Sequence, residues 1–396
     1  MTVVVAGAGL AGVRTCEALR RRGFDGDIVL LGEEKHPPYS RPPLSKEVLR
    51  GDKHPGTATL RSSGELAALD IALRLGARTN ALRPAEKIVH LDNGTTIHYD
   101  QLVIATGAQP RTLPGVWLRG VHTLRTVDDC IELRDELTPG ARVVVVGAGF
   151  IGLEVAASAR ARGAEVTVVD VLVAPLARVL DVAVGEAVGR LHAQHGVDIR
   201  CKVGVAQVEG TARVEQVVLT DGTTLPADVV VVGIGVVPAT AWLDDSGLTI
   251  DDGVVCDPTL QAAPDIWAVG DICRWDSTRM GRTVRVEHWT NANEQPDHVA
   301  RAICGDVSEF DPVPYFWSDQ YDAKLQCLGF AGTGDEIAVV RGSLDEPKWL
   351  ALVRSGDLLG GVIGLRSAGQ VMKLNPLLAA GAGWSDALEA TSGRAL

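Results

Sequence analysis

The chain lacks any C-x-x-C pair. Its seven cysteines, at positions 16, 130, 201, 256, 273, 304 and 327, are scattered, and none stands with histidines at zinc-ligand spacing. A dithiol redox motif and a structural zinc site are thereby excluded, and no metal is expected. The cysteine count is odd and the first strand already begins at residue 3, before any secretory signal would end. A reduced, cytoplasmic protein is expected. No apolar run approaches the roughly 18 residues that a membrane helix needs. Positive charge is scarce: 38 Lys and Arg face 50 Asp and Glu, for a net charge of −12. Nucleic acid and anionic membrane both want clustered cations, so neither is expected as a partner. With 46% hydrophobic and 22% charged residues across 396 positions, the chain can build two to three packed domains and is not disordered.

What the chain does have is two copies of one pattern. Val3-Val4-Val5-Ala6-Gly7-Ala8-Gly9-Leu10-Ala11-Gly12 runs an apolar β-branched stretch into G-x-G-x-x-G, and a helix is predicted over Val13–Arg22. Gly7 permits the tight turn, Gly9 lets a pyrophosphate approach the backbone, and Gly12 lets helix and strand pack closely. The helix N-terminus adds free N–H groups and a positive dipole end. Val143-Val144-Val145-Val146-Gly147-Ala148-Gly149-Phe150-Ile151-Gly152 repeats the pattern. Two such sites in one chain mean two dinucleotides to hold.

After the first copy, the strand Asp27–Leu31 delivers Glu33 and Glu34, the acids expected at a ribose hydroxyl, with Glu33 preferred. The plain alternative is that one or both are solvated loop acids. In His36–Arg50 four prolines are expected to hold an extended, rigid loop ending in Arg41, Ser45 and Lys46. Asp92-Asn93-Gly94 reads as a hairpin turn. Leu102–Ile104 is a buried strand entering the small-residue turn Ala105-Thr106-Gly107. After the second copy, Val166–Val169 is a strand that presents Asp170, and a helix is predicted over Val182–Gln194. Asp228–Pro238 is another buried strand with a glycine-rich exit that includes Gly235. Ile266–Val269 ends in Gly270-Asp271 and reads as a return to the first domain. A helix is expected over Asn291–Cys304, and alternating strands follow Pro314. These readings give an α/β fold with two Rossmann-like dinucleotide-binding domains and a C-terminal α+β domain. The expected divisions are 1–113 with 244–310, 114–243, and 311–396.

Several stretches occur together and in order: Pro38-Tyr39-Ser40-Arg41-Pro42-Pro43-Leu44-Ser45-Lys46, Ala105-Thr106-Gly107, Val146–Glu154, Ala268–Asp271 and Phe316-Trp317-Ser318-Asp319-Gln320-Tyr321. In these the chain resembles the ferredoxin reductases of bacterial oxygenase systems, within the two-dinucleotide flavoproteins. The resemblance covers nearly the whole chain. It implies FAD on the first glycine motif (Gly7, Gly9, Leu10, Ala11, Gly12) and NADH on the second (Gly147, Gly149, Ile151, Gly152). It places Glu33 at the FAD ribose, and Arg41, Lys46, Ala105, Thr106, Gly107, Arg125, Asp271 and Trp289 at FAD, with Lys46 close to the flavin N5 edge. Glu154 would sit by the nicotinamide and Asp170 at the NADH ribose. Lys46 and Glu154 are thus the catalytic candidates. Plain readings stand beside these: a helix N-cap for Asp271, a first-turn acid favoured by the dipole for Glu154, and core packing for Trp289.

Asp170 also bears on cofactor choice. A carboxylate there accepts ribose hydroxyls and repels a 2′-phosphate, and no Lys or Arg occurs from 171 to 177. Arg178, the nearest cation, is a candidate for the pyrophosphate or adenine. The reading departs from the family at Pro238-Ala239, where Pro-Asn is expected. The loop 35–50 holds no cysteine, so the flavin has no thiol to reduce. Cys16 falls in the first helix as a small core residue.

NADH:ferredoxin reductase activity follows as the expectation, with a [2Fe–2S] ferredoxin serving an oxygenase as acceptor. Arg282, Arg285, Lys324 and Arg366 are candidates for docking it. Rivals on the same fold are an NADH oxidase, a monodehydroascorbate-type reductase, or a slow NADH-sensing interaction protein. Monomer and homodimer both remain open.

Overall fold

The structure, a computed structural model, describes residues 1–332 and 334–392. The chain divides into two compact units. One comprises Met1–Ser40, Gly56–Gln109 and Val236–Pro312; the other Arg41–Pro55, Pro110–Gly235 and Val313–Leu396.

In the first unit, Thr2–Ala6 lies centrally in a six-stranded sheet. It pairs in parallel with Asp27–Leu31 on one side and Gln101–Ile104 on the other. Ile71–Arg74 and Ile266–Ala268 extend the parallel run outward, and Gln261–Ala263 closes one edge antiparallel. The central strands are Val, Ile and Leu with almost no polar interruption, because both faces of such a sheet are covered. Val3, Val4, Val5, Leu102, Val103 and Ile104 are fully buried. The first helix spans Leu10–Arg21 and so begins directly after Gly9, earlier than the expected Val13. Leu10 and Ala11 already have helical backbone, which aims the free N–H groups of the first turn at the glycine turn. The hairpin at 92–94 forms, joining Ile88–Leu91 to Thr96–His98, with Gly94 at φ +82°.

The second unit holds a parallel five-stranded sheet in the order Asp198–Cys201, Glu165–Asp170, Arg142–Val146, Val229–Val232, Val121–His122. A three-stranded antiparallel sheet, 205–226, packs on it through Val214, Val217, Leu219 and Leu225 against Val144, Val169 and Val230. The helix Val182–Gln194 has the expected bounds, capped by Asp181 on the Ala183 N–H. Beyond Val313 a five-stranded antiparallel sheet runs in the order Tyr315–Gln320, Ala323–Gly329, Leu358–Leu365, Trp349–Ser355, Ile337–Arg341. Helices at Ala368–Lys373, Asn375–Ala379 and Trp384–Ser392 cover it, burying Leu350, Leu352, Val362 and Val371.

The loop 36–50 is extended only in its first part, where Tyr39 forms an antiparallel bridge with Thr59. Pro42–Ser45 forms a 3-10 turn and Glu47–Arg50 a helical turn. Proline at the first two positions of a helical turn costs nothing, since those N–H groups lack partners in any case. The prolines therefore start a turn here.

Among the described residues no helix is long and apolar enough to cross a membrane, and no cluster of His, Cys, Asp or Glu could hold a metal.

Candidate functional site

Each unit carries one glycine cradle, and in both the three glycines divide their work in the same way. A methyl group on Gly7 (φ +118°) would lie 2.2 Å from the Ala105 carbonyl oxygen, and one on Gly147 (φ +107°) 2.3 Å from that of Gly233. Neither position admits a side chain. A methyl on Gly12 would lie 1.9 Å from the Gly7 carbonyl oxygen, and on Gly152 2.1 Å from that of Gly147, so the third glycine seats the helix on its own turn. The middle glycine differs. A methyl on Gly9 meets nothing within 4 Å, and on Gly149 only the Gly233 oxygen at 3.9 Å. The open space lies at the N-terminus of Leu10–Arg21 in one unit and of Phe150–Ala161 in the other, and neither helix has an acid in its first turn to satisfy the dipole. Two helix N-termini behind glycine turns, with room at the middle glycine and no acid in the first turn, fit two pyrophosphates.

The rest of the first cradle is assembled from distant segments. Thr106 Oγ1 donates to the Ala239 carbonyl at 3.1 Å, and the Ala239 N–H donates to the Gly107 carbonyl at 2.9 Å. Both bonds to Ala239 use its backbone, so the Ala for Asn change leaves this tie intact. A methyl on Gly270 would lie 3.1 Å from the Ala11 side chain, which places Gly270-Asp271 beside the first helical turn. The Gly270 N–H donates to Gln295 Oε1 at 2.7 Å. Trp289 opens the helix Trp289–Ile303 and its Nε1 donates to Ser40 Oγ at 3.3 Å. The neighbouring His288 is held neutral: burial pushes its pKa down to about 4, against the pull of Asp271. Glu33 is exposed and lies 3.4 Å from Arg78, while Glu34 accepts from the Tyr39 hydroxyl.

Beside the second cradle, Asp170 accepts from the Ala148 N–H at 2.6 Å through Oδ2 and from the Leu172 N–H at 2.8 Å through Oδ1. It thus fixes the glycine turn itself. A carboxylate offers about four lone-pair sites, so two remain for ribose hydroxyls. Val171 and Val173 after it are exposed, and the Arg178 guanidinium lies 3.0 Å from the position of a Gly235 methyl.

Lys46 and Glu154, distant in sequence, meet in this unit. Lys46 Nζ lies 2.7 Å from Glu154 Oε2, with both side chains about nine-tenths buried. Ser45 Oγ donates to the same oxygen at 2.5 Å, and Ser318 Oγ to Oε1 at 2.6 Å. The turn bearing Ser45 is pinned by Ser158 Oγ, which donates to the Ser45 carbonyl at 2.6 Å. Arg41 donates to the Arg125 carbonyl. Ser318 was legible only as part of a family stretch. Its single available signal is the two-residue alternation that sends 318 and 320 to one face of their strand.

Four of the buried thiols are held in their protonated form. Burial pushes Cys130 up to about 11, Cys327 up to about 12, and Cys16 and Cys273 up as well. Of the cations considered for docking, Arg285 pairs with Asp252 and Glu287, Lys324 with Asp319, and Arg366 with Asp322.

Paired dinucleotide cradles on parallel sheets define a two-nucleotide oxidoreductase. Residues 1–295 match the family model described as pyridine nucleotide-disulphide oxidoreductase, and 315–393 that described as reductase C-terminal. The chain belongs to the pyridine nucleotide-disulphide oxidoreductase family. It is 43% identical to the anthranilate 1,2-dioxygenase system ferredoxin–NAD(+) reductase component of Burkholderia cepacia, over 86% of this chain and 84% of that protein. It is 37% identical to rhodocoxin reductase of Rhodococcus erythropolis, over 96% and 90%. The reductase in the covalent putidaredoxin reductase–putidaredoxin complex superposes with a TM-score of 0.93 at 36% identity, covering 96% of this chain and 93% of that one.

Proposed function

We propose that the protein is an NADH:ferredoxin oxidoreductase that uses FAD and passes electrons to a [2Fe–2S] ferredoxin feeding an oxygenase. The observation that carries this reading is the second cradle. One open helix N-terminus serves FAD, and a second is needed only if another dinucleotide delivers the electrons. FAD, when bound, converts a two-electron hydride donation into one-electron deliveries.

The chain's own residues bind, orient and hold charge. Gly7, Gly9 and Gly12 cradle the FAD pyrophosphate, with Glu33 at its ribose and Asp271 and Trp289 at its far end. By the same reading Arg41, Lys46 and Arg125 contact FAD. Gly147, Gly149, Ile151 and Gly152 receive NADH, with Asp170 at its ribose and Arg178 and Gly235 along it. Glu154, one turn into the helix after that cradle, faces the nicotinamide. Lys46, Ser45 and Ser318 all donate to Glu154, so its carboxylate keeps one position and its charge is balanced where water is excluded. The loop 35–50 holds no cysteine to take the electrons, which favours a protein acceptor. The place of its relatives in bacterial oxygenase systems supports a cytoplasmic location.

The reading is tested by NADH-driven cytochrome c reduction with and without a panel of [2Fe–2S] ferredoxins. Strong stimulation by at least one ferredoxin is expected. Equal rates with every ferredoxin and with none would favour an NADH oxidase.

A further inference from the structure

A line of hydrogen bonds runs away from Glu154 through buried side chains that no proposed cofactor contact uses. Ser318 Oγ, which donates to Glu154, accepts from Gln320 Nε2 at 3.2 Å. Gln320 Oε1 meets His192 Nε2 at 2.8 Å, and His192 Nδ1 meets the Tyr321 hydroxyl at 3.0 Å. Tyr321 in turn stacks on His195, with ring centroids 3.6 Å apart. Ser318, Gln320 and His192 are essentially inaccessible to solvent. The line joins two helices, Phe150–Ala161 and Val182–Gln194, to the strand Tyr315–Gln320.

The direction of every bond follows from its inner end. Glu154, paired with Lys46, can only accept. Ser318 must therefore spend its proton on Glu154 and receive one from Gln320. Gln320 then presents its amide NH₂ to Ser318 and its oxygen to His192. That oxygen requires a proton on His192 Nε2, which leaves Nδ1 to accept from Tyr321. A neutral imidazole fits this arrangement, and burial holds His192 neutral, its pKa pushed down to about 4. The reverse tautomer would turn the Gln320 amide over. Ser318 would then donate to Gln320, and Glu154 would lose one of its three donors.

We propose that His192 is a positioning residue for the reaction: as the Nε2–H tautomer it fixes the Gln320 amide, which commits the Ser318 hydroxyl to Glu154. The two ends of a primary amide have nearly the same shape, so packing alone does not choose between them. A single N–H at 2.8 Å does. The inference rests on the assignment of Glu154 to the nicotinamide.

Two measurements test it. The first is the imidazole nitrogen NMR spectrum of His192. The Nε2–H tautomer is expected throughout the neutral range, and the Nδ1–H tautomer overturns the proposal. The second is stopped-flow reduction of the flavin by NADH in the holoenzyme. His192→Leu is expected to slow it about tenfold, the size of one hydrogen bond to a charged group. His192→Gln, which keeps a donor near Nε2, restores most of the rate. Ser318→Ala shows the same loss, and the double variant His192→Leu/Ser318→Ala loses no more than Ser318→Ala alone, because both act through one bond. A purely structural role would lower the melting temperature of His192→Leu while leaving the rate and the coupling untouched, and that outcome refutes the proposal. Additive losses refute it too. Glu154→Gln separates the levels: if it reduces at the wild-type rate, the Glu154 assignment fails; if it is slow while His192→Leu is unimpaired, only the His192 inference fails.

Discussion

Lys46 and Glu154 show most clearly what a residue does here that its neighbours in sequence do not reveal. A lysine and a glutamate nine-tenths buried are tolerable only together. Removing one leaves the other charged, dry and unpaired. Lys46→Met is expected to cost about 3–5 kcal/mol of unfolding free energy, read by urea denaturation. Lys46→Met/Glu154→Leu is expected to lie closer to wild type than either single change, because the uncompensated charge is gone. Both positions stand out in the sequence, one from the proline loop and one from the helix after Gly152. Their meeting was not, since 108 positions separate them and no local periodicity carries such a distance. Ser318, His192 and Gln320 were hidden for the same reason: each is an ordinary polar residue until the fold supplies its partner. Glu33 presents the opposite case, a residue conspicuous in sequence that the structure leaves exposed beside Arg78.

At the scale of elements, the strands were the legible part. Val3–Ala6, Val143–Val146 and Val229–Val232 are β-branched runs ended by glycine, and such runs suit a sheet covered on both faces. The loop 36–50 was misread because proline fixes φ at a value shared by extended chain and by the first turn of a helix. Which one forms depends on tertiary partners such as Ser158 and Arg125. In the proposed reading, the exit of strand Glu165–Asp170 selects the nucleotide. Asp170 braces the Ala148 and Leu172 N–H groups and fixes the glycine turn, and the exposed valines after it offer no cation to a 2′-phosphate. Asp170→Ala is expected to lower kcat/KM for NADH about tenfold or more, by the loss of charged hydrogen bonds. The same change should raise the ratio of NADPH to NADH turnover. Steady-state kinetics with both nucleotides measure this, and an unchanged ratio would remove Asp170 from the ribose site.

At the scale of the whole molecule, burial of neutral imidazoles ties stability to pH. His192 and His288 titrate at about 4 in the folded chain, against about 6.5 when unfolded. Between those values the unfolded chain binds the extra protons. Stability is therefore full above pH 6.5 and is lost as pH falls toward 4, by roughly 3 kcal/mol per imidazole. Asp228, held down at about 2 by Arg142, acts only in a lower window. Urea unfolding of wild type and His192→Gln at pH 7 and pH 5 is expected to show a smaller pH effect in the variant. Equal effects would place the His192 titration elsewhere.

The molecule's central feature is its pair of cradles, alike in geometry, to which the proposed reading gives different uses, FAD at the first and NADH at the second. The direct test is a methyl group in each open space, where the fold itself has room. Gly9→Ala and Gly149→Ala are purified and their bound flavin is measured, followed by reduction with NADH and with dithionite. Gly9→Ala is expected to lose FAD. Gly149→Ala is expected to keep FAD and its reduction by dithionite while its reduction by NADH falls steeply. Loss of flavin from Gly149→Ala with retention in Gly9→Ala would reverse the assignment, and full NADH reduction in both variants would contradict it outright.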